Sequence, residues 1–453
     1  MTQPLNLEDS LLHVIKLLKE PHHHGLHVYL EEFQPYDIAE IYRNLPTKHR
    51  AKFVTSLEAE LLADLIQELE YEQQLNIFLL LGIERASKIM DIMENDDLAD
   101  LLNELSNDQT EQFLGSMEAE ESKNVKDLMQ YPRETAGGIM TNRFVWIREN
   151  YSVREAVDKL KAFAEYAENI YYLYVLNDQK QLVGVVSYRD LLLADINETI
   201  HNIMYSRVIS VPDDMDQEEV ARTIGRYDFI AVPVIDNEQK LVGIVTVDDI
   251  IDVIVIEANE DVEKLSATGK NSIDFTTNAL TASLRRLPWL ILLLFLGLLS
   301  GSVIASYEAT LDKVVALAFF MPMIAGMTGN TGTQSLGIVI RGIASQHMDR
   351  KTIFNLVWRD IGVGLILGLV CGILIAAITF VWQGNFILSV ITGVSLLLTL
   401  IIGTLAGTMI PLLLFKLKID PAIASGPLIT TLNDIFSLTV YFGLATIFIQ
   451  YII

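Results

Sequence analysis

The stretch from Pro421 to Ile453 is apolar enough to cross a bilayer and carries one charge, Asp434. An isolated carboxylate at that depth costs at least about 2.5 kcal/mol on insertion scales, so it must face something polar. Thr430, Asp434, Ser437 and Tyr441 share one helical face by their i, i+4, i+7 and i+11 spacing. Upstream, Pro421, Gly426 and Pro427 can free backbone carbonyls for ions or water. A second polar segment, Gly326-Met-Thr-Gly-Asn-Thr-Gly-Thr-Gln-Ser335, follows Pro322 inside another apolar run. It is too polar for lipid, and it reads as more than a glycine packing seam, because packing does not require Asn330 or Gln334. Asn330, Gln334, Thr430, Thr431 and Asn433 are therefore expected to line a polar path with Asp434.

A membrane aspartyl protease would need two carboxylates within the spans of one chain, and only Asp434 is expected there. Transition metals prefer His or Cys, and the spans offer only Cys371, away from the polar segments. A hard divalent cation fits better. Mg²⁺ takes oxygen ligands in octahedral geometry and dehydrates reluctantly, so carboxylates and carbonyls gripping its water shell would favour it over Ca²⁺. One Asp is a poor site, but two chains about a twofold axis would present two carboxylates to one central ion.

A further acid set lies on the helix expected after residue 247. Asp248, Asp249, Asp252, Glu260 and Glu263 fall on one side, while Ile250, Ile251, Ile254, Val255 and Val262 occupy the other. Like charges four residues apart each cost a few tenths of a kcal/mol, so their repetition suggests a divalent counterion. Asp213, Asp214, Asp216, Glu218, Glu219 and Asp228 add to the same negative potential.

The elements that must position these groups separate into two solvents. Residues 1–275 hold 52 Asp+Glu against 24 Lys+Arg, whereas residues 276–453 hold 6 against 9. So acidic a first part excludes a nucleic-acid reader, which needs basic patches for phosphates. One cysteine in 453 residues excludes a disulfide-stapled scaffold. Residues 287–306, 314–340 and 361–415 contain no Asp, Glu, Lys or Arg. With the last run divided at Trp382-Gln-Gly-Asn385 and the stretch around Asp434 added, five transmembrane helices are expected. Basic residues cluster before the first span, between the second and third, and between the fourth and fifth. That alternation predicts a multi-pass protein of the cell membrane with cytoplasmic N-terminal domains and the C-terminus outside. The first twenty residues do not read as a cleavable signal peptide.

Two repeats organise the soluble part. Ile41, Phe53, Leu65, Ile77, Ile89, Leu101, Phe113 and Val125 recur every twelve residues, and Leu45, Leu57, Leu69 and Leu81 begin a parallel column. Twelve residues accommodate a short helix and a tight connection, and such helices persist only by stacking, which predicts an α-solenoid. Its polar faces carry Asp91 and Asp97, which join the candidate metal ligands. Beyond it, Ile139-Met140 recurs as Ile203-Met204, and Gln181-Leu-Val-Gly-Val-Val-Ser-Tyr-Arg-Asp190 recurs as Lys240-Leu-Val-Gly-Ile-Val-Thr-Val-Asp-Asp249. Each copy reads as strand, helix, two hydrophobic strands and a closing helix. The pair resembles tandem cystathionine-β-synthase (CBS) modules, which implies an adenine nucleotide such as ATP as ligand. Ser187, Arg189 and Asp190, with Tyr172 and Phe229 as stacking partners, are the positions the resemblance selects; Ser187 read alone is equally a helix N-cap.

Gly329-Asn-Thr-Gly-Thr-Gln334, Asp420-Pro-Ala-Ile-Ala-Ser-Gly-Pro427 and Thr430-Thr-Leu-Asn-Asp434, together with the CBS pair and the short-helix domain, resemble the MgtE family of magnesium transporters. The resemblance covers nearly the whole chain. It implies a multidomain architecture: an α-solenoid of short helices (1–136), a tandem α+β CBS pair (137–198 and 199–257), a connecting or plug helix (258–285) and a transmembrane domain of five helices (286–453). It further implies a homodimeric, Mg²⁺-selective channel, not an enzyme, whose cytosolic domains bind Mg²⁺ and close the pore. Asp434 matches the family's pore carboxylate, and Asp216, Glu218, Asp228, Asp249, Asp252, Glu257, Glu260 and Asp261 fall where its sensor acids fall. Gly426 stands where some relatives carry an amide side chain, so ion contact there would be through backbone. Two other readings stay open: a transporter of another cation such as Co²⁺ or Mn²⁺, and a membrane-anchored nucleotide sensor whose spans only tether the CBS pair.

Overall fold

A computed structural model of the chain describes residues 6–20, 24–164, 166–167, 169–268, 278–345 and 349–452. Part of the expected connecting segment, 269–277, lies outside the described residues. The chain divides into two compact units, Met1–Val255 and Ile256–Ile453.

The first unit opens with ten helices: α1 (Leu7–Leu17), α2 (His24–Leu30), α3 (Pro35–Asn44), α4 (Thr47–Ser56), α5 (Ala59–Gln67), α6 (Tyr71–Leu81), α7 (Ile83–Met90), α8 (Asn95–Asn103), α9 (Asn107–Leu114) and α10 (Ala119–Leu128). From α3 onward each begins twelve residues after its predecessor. Ile41, Phe53, Leu65, Ile77, Ile89, Leu101, Phe113 and Val125 are all buried. A helix this short is marginal alone, so the common buried face is what maintains it.

The CBS pair follows as β1 (Phe144–Arg148), α11 (Val153–Phe163), β2 (Asn169–Leu176), β3 (Leu182–Ser187), α12 (Tyr188–Leu193), α13 (Ile200–Ile203), β4 (Val211–Pro212), α14 (Gln217–Tyr227), β5 (Ala231–Ile235) and β6 (Leu241–Thr246). Its two sheets have the orders β1-β2-β3 and β4-β5-β6, each with a parallel and then an antiparallel pairing. The modules interlock, because Thr141, before β1 of the first, bridges to Ile244 of the second, and Tyr205, before β4 of the second, bridges to Val185 of the first. A Cβ on Gly184 would lie 2.6 Å from Met204 Sδ, and one on Gly243 would lie 2.5 Å from Met140 Sδ. This close approach explains why both copies carry glycine there. The core of α1–α10 runs without a break into the second module through Met140, Val220, Ile224 and Val253, while the first module has its own core around Val145, Leu173 and Val186.

Helix α15 (Val247–Ser266) begins in the first unit and ends in the second. The second unit continues with α16 (Ala279–Ser306), α17 (Glu308–Lys313), α18 (Leu317–Ser345), α19 (Arg350–Gln383), α20 (Phe386–Lys416) and α21 (Gly426–Ile447). Among the described residues, α16, α19, α20 and α21 are long and apolar enough to span a membrane. At 29 residues α18 has the length, but its segment Gly326–Ser335 leaves it less apolar than those four.

Glycine sets the packing of these helices. Cβ atoms on Gly364, Gly368 and Gly372 of α19 would each come within 2.9 Å of the α20 backbone. On its other side α20 meets α18, where a Cβ on Gly403 would lie 2.7 Å from Thr328 O and one on Gly407 would lie 2.1 Å from Gly332 O. Gly329 and Gly332 of α18 lie in turn against Thr430 and Asn433 of α21. Gly329 and Gly332 serve this packing, since any side chain there would push α18 off its neighbours. Asn330 and Gln334 are exposed. Gly407→Ala should therefore destabilise the membrane domain by about 1–3 kcal/mol through overpacking. Gly362→Ala, whose Cβ would meet nothing within 4 Å, should not, and thermal unfolding of the two variants in detergent checks the contrast.

Candidate functional site

Asp434 lies in the first half of α21, half-buried, and among the described residues its carboxylate takes no hydrogen bond or ion pair. The polar face expected around it is divided by packing. The hydroxyls of Thr430 and Thr431 donate back to Gly426 O and Pro427 O at 2.9 and 2.8 Å. Ser437 and Tyr441 are buried, and Tyr441 donates to Leu317 O of α18 at 3.1 Å. Asn433, expected to line an open path, is instead fully buried, with Nδ2 donating to Thr328 O at 3.4 Å and Oδ1 without a partner among the described residues. The cause is that α21 contacts α16, α18 and α20 together, so residues one position apart face different neighbours.

Sequence reasoning counted one carboxylate in the spans and missed another. Asp360 lies inside α19, 3% exposed. Arg359 Nε and Nη2 donate to its Oδ1 at 3.1 and 3.0 Å, and Thr408 of α20 donates to Oδ2. The signal was available, since the charge-free run starts at 361 and a helix readily extends past it. Asp360 is thus compensated within the chain, and among the described residues Asp434 is not.

In the first unit, the loop before α8 and the start of α15 bring acids together. Burial, then Asp97, Asp249 and Asp248, push the Glu94 carboxyl up to about 7 against the pull of Arg143. Asp97 still reaches solvent, yet the protein packed around it pushes its carboxyl up to about 6; a 3.0 Å hydrogen bond from Gln67 opposes the shift, and Asp100 and Asp252 reinforce it. Asp249 is likewise pushed up to about 6, by burial first and then by Asp248 and Asp97, against the hydrogen bond it accepts from Thr246. The expected ligands Asp97, Asp249 and Asp252 therefore share one seam, and Glu94, which the sequence reading did not select, belongs with them. The remaining sensor candidates have local duties. Asp91 accepts from Glu118 N at 3.0 Å, Asp216 caps α14 through Glu218 N at 2.9 Å, Glu218 lies 3.7 Å from Arg222, and Asp228 ends α14 with φ +53°. Among the described residues no three His, Cys, Asp or Glu side chains form a ready metal-binding group.

The end of α15 gathers the second acid set. Lys264 Nζ lies 2.6 Å from both Glu260 Oε1 and Asp420 Oδ2. Burial and then Asp420, with Glu257 and Glu260 adding to them, raise the Asp261 carboxyl against the opposing charge of Lys264. Leu265 packs against a cluster formed by Leu336, Ile340, Ala424 and Ile429. Glu257, Glu260 and Asp261 are thus collected beside Asp420, which no periodicity had marked.

A cavity of about 270 Å³ opens between the CBS modules, lined by Tyr172, Tyr174, Ser187, Asp190, Arg207 and Phe229 among others. Ser187 Oγ donates to Asp190 Oδ2 at 2.6 Å and accepts from Asp190 N at 3.1 Å, so the capping role and the lining role coincide. Tyr172 and Phe229 both line the cavity, as flat faces for a ring would. Arg189, which the resemblance selected, is exposed and not part of the lining; Arg207, which sequence reasoning passed over, is the guanidinium present there.

The raised carboxyls fix a sign for pH. Because Glu94, Asp97 and Asp249 hold protons more tightly in the folded unit than in the unfolded chain, their contribution to stability is complete below the ordinary carboxylate range, near 4. It is lost as pH rises through about 6 to 7. The metal-free chain should accordingly unfold at a lower temperature at pH 8 than at pH 5.5, and Asp97→Asn with Asp249→Asn should flatten that slope in a thermal melt.

Residues 321–444 match the family described as divalent cation transporter, MgtE; residues 33–134 match the MgtE intracellular N domain, and residues 136–197 and 200–256 match CBS domains. The chain is 54% identical to the magnesium transporter MgtE of Bacillus subtilis over 99% of its own length and 100% of that protein. It is 45% identical to the magnesium transporter MgtE of Enterococcus faecalis over 72% of each. A crystal structure of the cytosolic domain of the Mg²⁺ channel MgtE in complex with ATP is similar over 54% of this chain and 99% of that one, with 35% identity and a TM-score of 0.52. The cytosolic domains, the CBS pair and the apolar helices are thus all accounted for by one family: the chain belongs to the MgtE family of transporters, which are not enzymes.

Proposed function

We propose that this chain carries Mg²⁺ across the cell membrane through a channel-like pore on the axis of a homodimer, and that cytosolic Mg²⁺ closes it. One observation carries the reading: Asp434 is a half-buried carboxylate in a spanning helix with no partner among the described residues, whereas Asp360 in the same bundle has its own. A carboxylate in that setting stays charged only if a cation is supplied. Two such groups facing each other across a twofold axis supply opposed oxygens to one ion and leave room for its water shell. Dimerisation is supported by apolar side chains that the first unit leaves outward, among them Leu193 of α12, 80% exposed, and Ile251 and Ile254 of α15. With α18 as a fifth, more polar span, the N-terminal domains lie in the cytoplasm and the C-terminus outside.

Regulation follows from the acid seams. Without metal, Glu94, Asp97, Asp249 and Asp252 repel one another, and so do Glu257, Glu260, Asp261 and Asp420. Mg²⁺ bridging each set favours the docked, closed arrangement, and several weak sites that favour one global state make the response steep. Helix α15 is the connecting element, with Leu265 lodged against the ends of α18 and α21. An adenine nucleotide between Tyr172 and Phe229, with Arg207 near its phosphates, biases the packing of the CBS pair.

In proteoliposomes, Asp434→Asn should reduce Mg²⁺ influx to the level of protein-free vesicles while the dimer stays intact by size-exclusion chromatography; undiminished influx would remove Asp434 from the path. Joint replacement of Asp97, Asp249 and Asp252 by Asn should leave influx unresponsive to Mg²⁺ on the cytosolic side. Influx that still falls as that Mg²⁺ rises would discredit the seam as sensor.

A further inference from the structure

The internal repeat places Arg143 and Arg207 at equivalent positions, each three residues after the methionine, Met140 or Met204, that packs on the glycine of the opposite module. The equivalence extends to Ser187 with Thr246 and to Asp190 with Asp249, each pair forming a hydroxyl-to-carboxylate hydrogen bond at the start of a helix. Arg207 lines the nucleotide cavity. Arg143, its counterpart in the other half of the pair, is 8% exposed and reaches into the N-terminal helices instead. Its Nη1 donates to Ile92 O at 3.3 Å, and its Nη2 donates to Asn95 Oδ1 at 3.2 Å and lies 3.4 Å from Glu121 Oε2. The guanidinium also stands 5.1 Å from the ring centre of Tyr166. Asn95 is fully buried and donates to Asn142 Oδ1 at 2.7 Å, while Asn142 Nδ2 donates to Asn124 O at 3.0 Å. The loop before α8 and the helix α10 are thereby tied to the strand entry of the first module, directly beside Glu94.

We infer that Arg143 is a tethered cation at the seam between the N-terminal helices and the CBS pair, a positioning residue that holds the two together and sets the Mg²⁺ level at which the pore closes. Its location supports this: the neighbouring acids need positive charge to approach one another, and Arg143 delivers a fixed share of it with no ion bound. Because that share does not vary, the remaining requirement defines how much Mg²⁺ must be recruited. Arginine suits the task, since its planar fork serves a carbonyl, an amide oxygen and a carboxylate at once while stacking on an aromatic face, which an ammonium cannot do. The half of the CBS pair that would have offered a second, symmetric nucleotide cleft has its guanidinium committed to domain docking.

This inference rests on the regulatory reading above, and the test separates the two. Hydrogen exchange of α8 and α10 is followed in the full-length chain in nanodiscs as Mg²⁺ is titrated, alongside influx in proteoliposomes. Arg143→Met should raise the Mg²⁺ concentration for half-maximal protection and for half-closure by about tenfold, within the usual range of coupling between sites. Influx at low Mg²⁺ and protection at saturating Mg²⁺ should match the unmodified chain. Arg143→Lys should restore part of the shift, and Glu121→Gln, which keeps the arginine and guards against a folding defect, should move the midpoint in the same direction by less. Unshifted midpoints in both Arg143→Met and Glu121→Gln would overturn the clasp, as would protection lost at every Mg²⁺ concentration. Protection that ignores Mg²⁺ in the unmodified chain would overturn the regulatory reading and the clasp with it.

Discussion

A carboxylate held away from water must be given a positive partner, and this molecule arranges its acids by how that need is met. Asp360 is satisfied within the membrane bundle by Arg359 and Thr408. Asp420 and Glu260 share Lys264 at the end of α15. Glu94 and its neighbours have Arg143 nearby but remain in excess, which is why burial and mutual repulsion raise their carboxyls so far. Asp434 has no partner among the described residues. This gradation, from complete to partial to absent compensation, matches the division of labour proposed for them: structural anchor, metal-responsive seam and ion path. A buried charge with its own counterion has little to gain from a visiting ion, whereas one without a counterion has much.

Backbone proximity sets how the helix carrying Asp434 meets its neighbours. Glycines at 403 and 407 bring α20 against α18, and those at 329 and 332 bring α18 against α21. Helices α18, α20 and α21 are thereby held in close register. Asn433 takes part in one of these contacts, its amide against Gly332 and donating to Thr328 O. Rotation of α21 about its own axis is restrained by that amide and by Tyr441 donating to Leu317 O, so Asp434 is aimed by its immediate neighbours on the same helix.

The twelve-residue period in the N-terminal part was legible because a stacked helix needs the same buried positions in every unit, and all eight residues of that column are buried. The CBS signature was legible for a similar reason, since Gly184 and Gly243 have no room for a Cβ. Less could be read where a polar residue serves two purposes. Asn433 and Asn330 look alike in sequence, yet one is buried in a helix contact and the other is exposed. Asp216 and Glu218 carry the same charge as Asp249, but their carboxylates cap α14 and pair with Arg222 on its surface. The repeat aligns Arg143 with Arg207, but the different surroundings of the two depend on tertiary partners far away in sequence. Glu94 was missed for the same reason: its setting depends on α15, more than 150 residues later in the chain.

Both acid seams draw on one helix. Asp249 and Asp252 stand in the first turns of α15, and Glu257, Glu260 and Asp261 in its later ones, within 20 consecutive residues spanning about 30 Å. An unbroken helix transmits displacement better than a loop, since bending it breaks backbone hydrogen bonds. Along α15, Asp249 and Asp252 belong to the first unit, and Glu257, Glu260 and Asp261 to the second. In the proposed regulation the acidic surplus along α15 supplies the like-charge repulsion that bound Mg²⁺ would relieve.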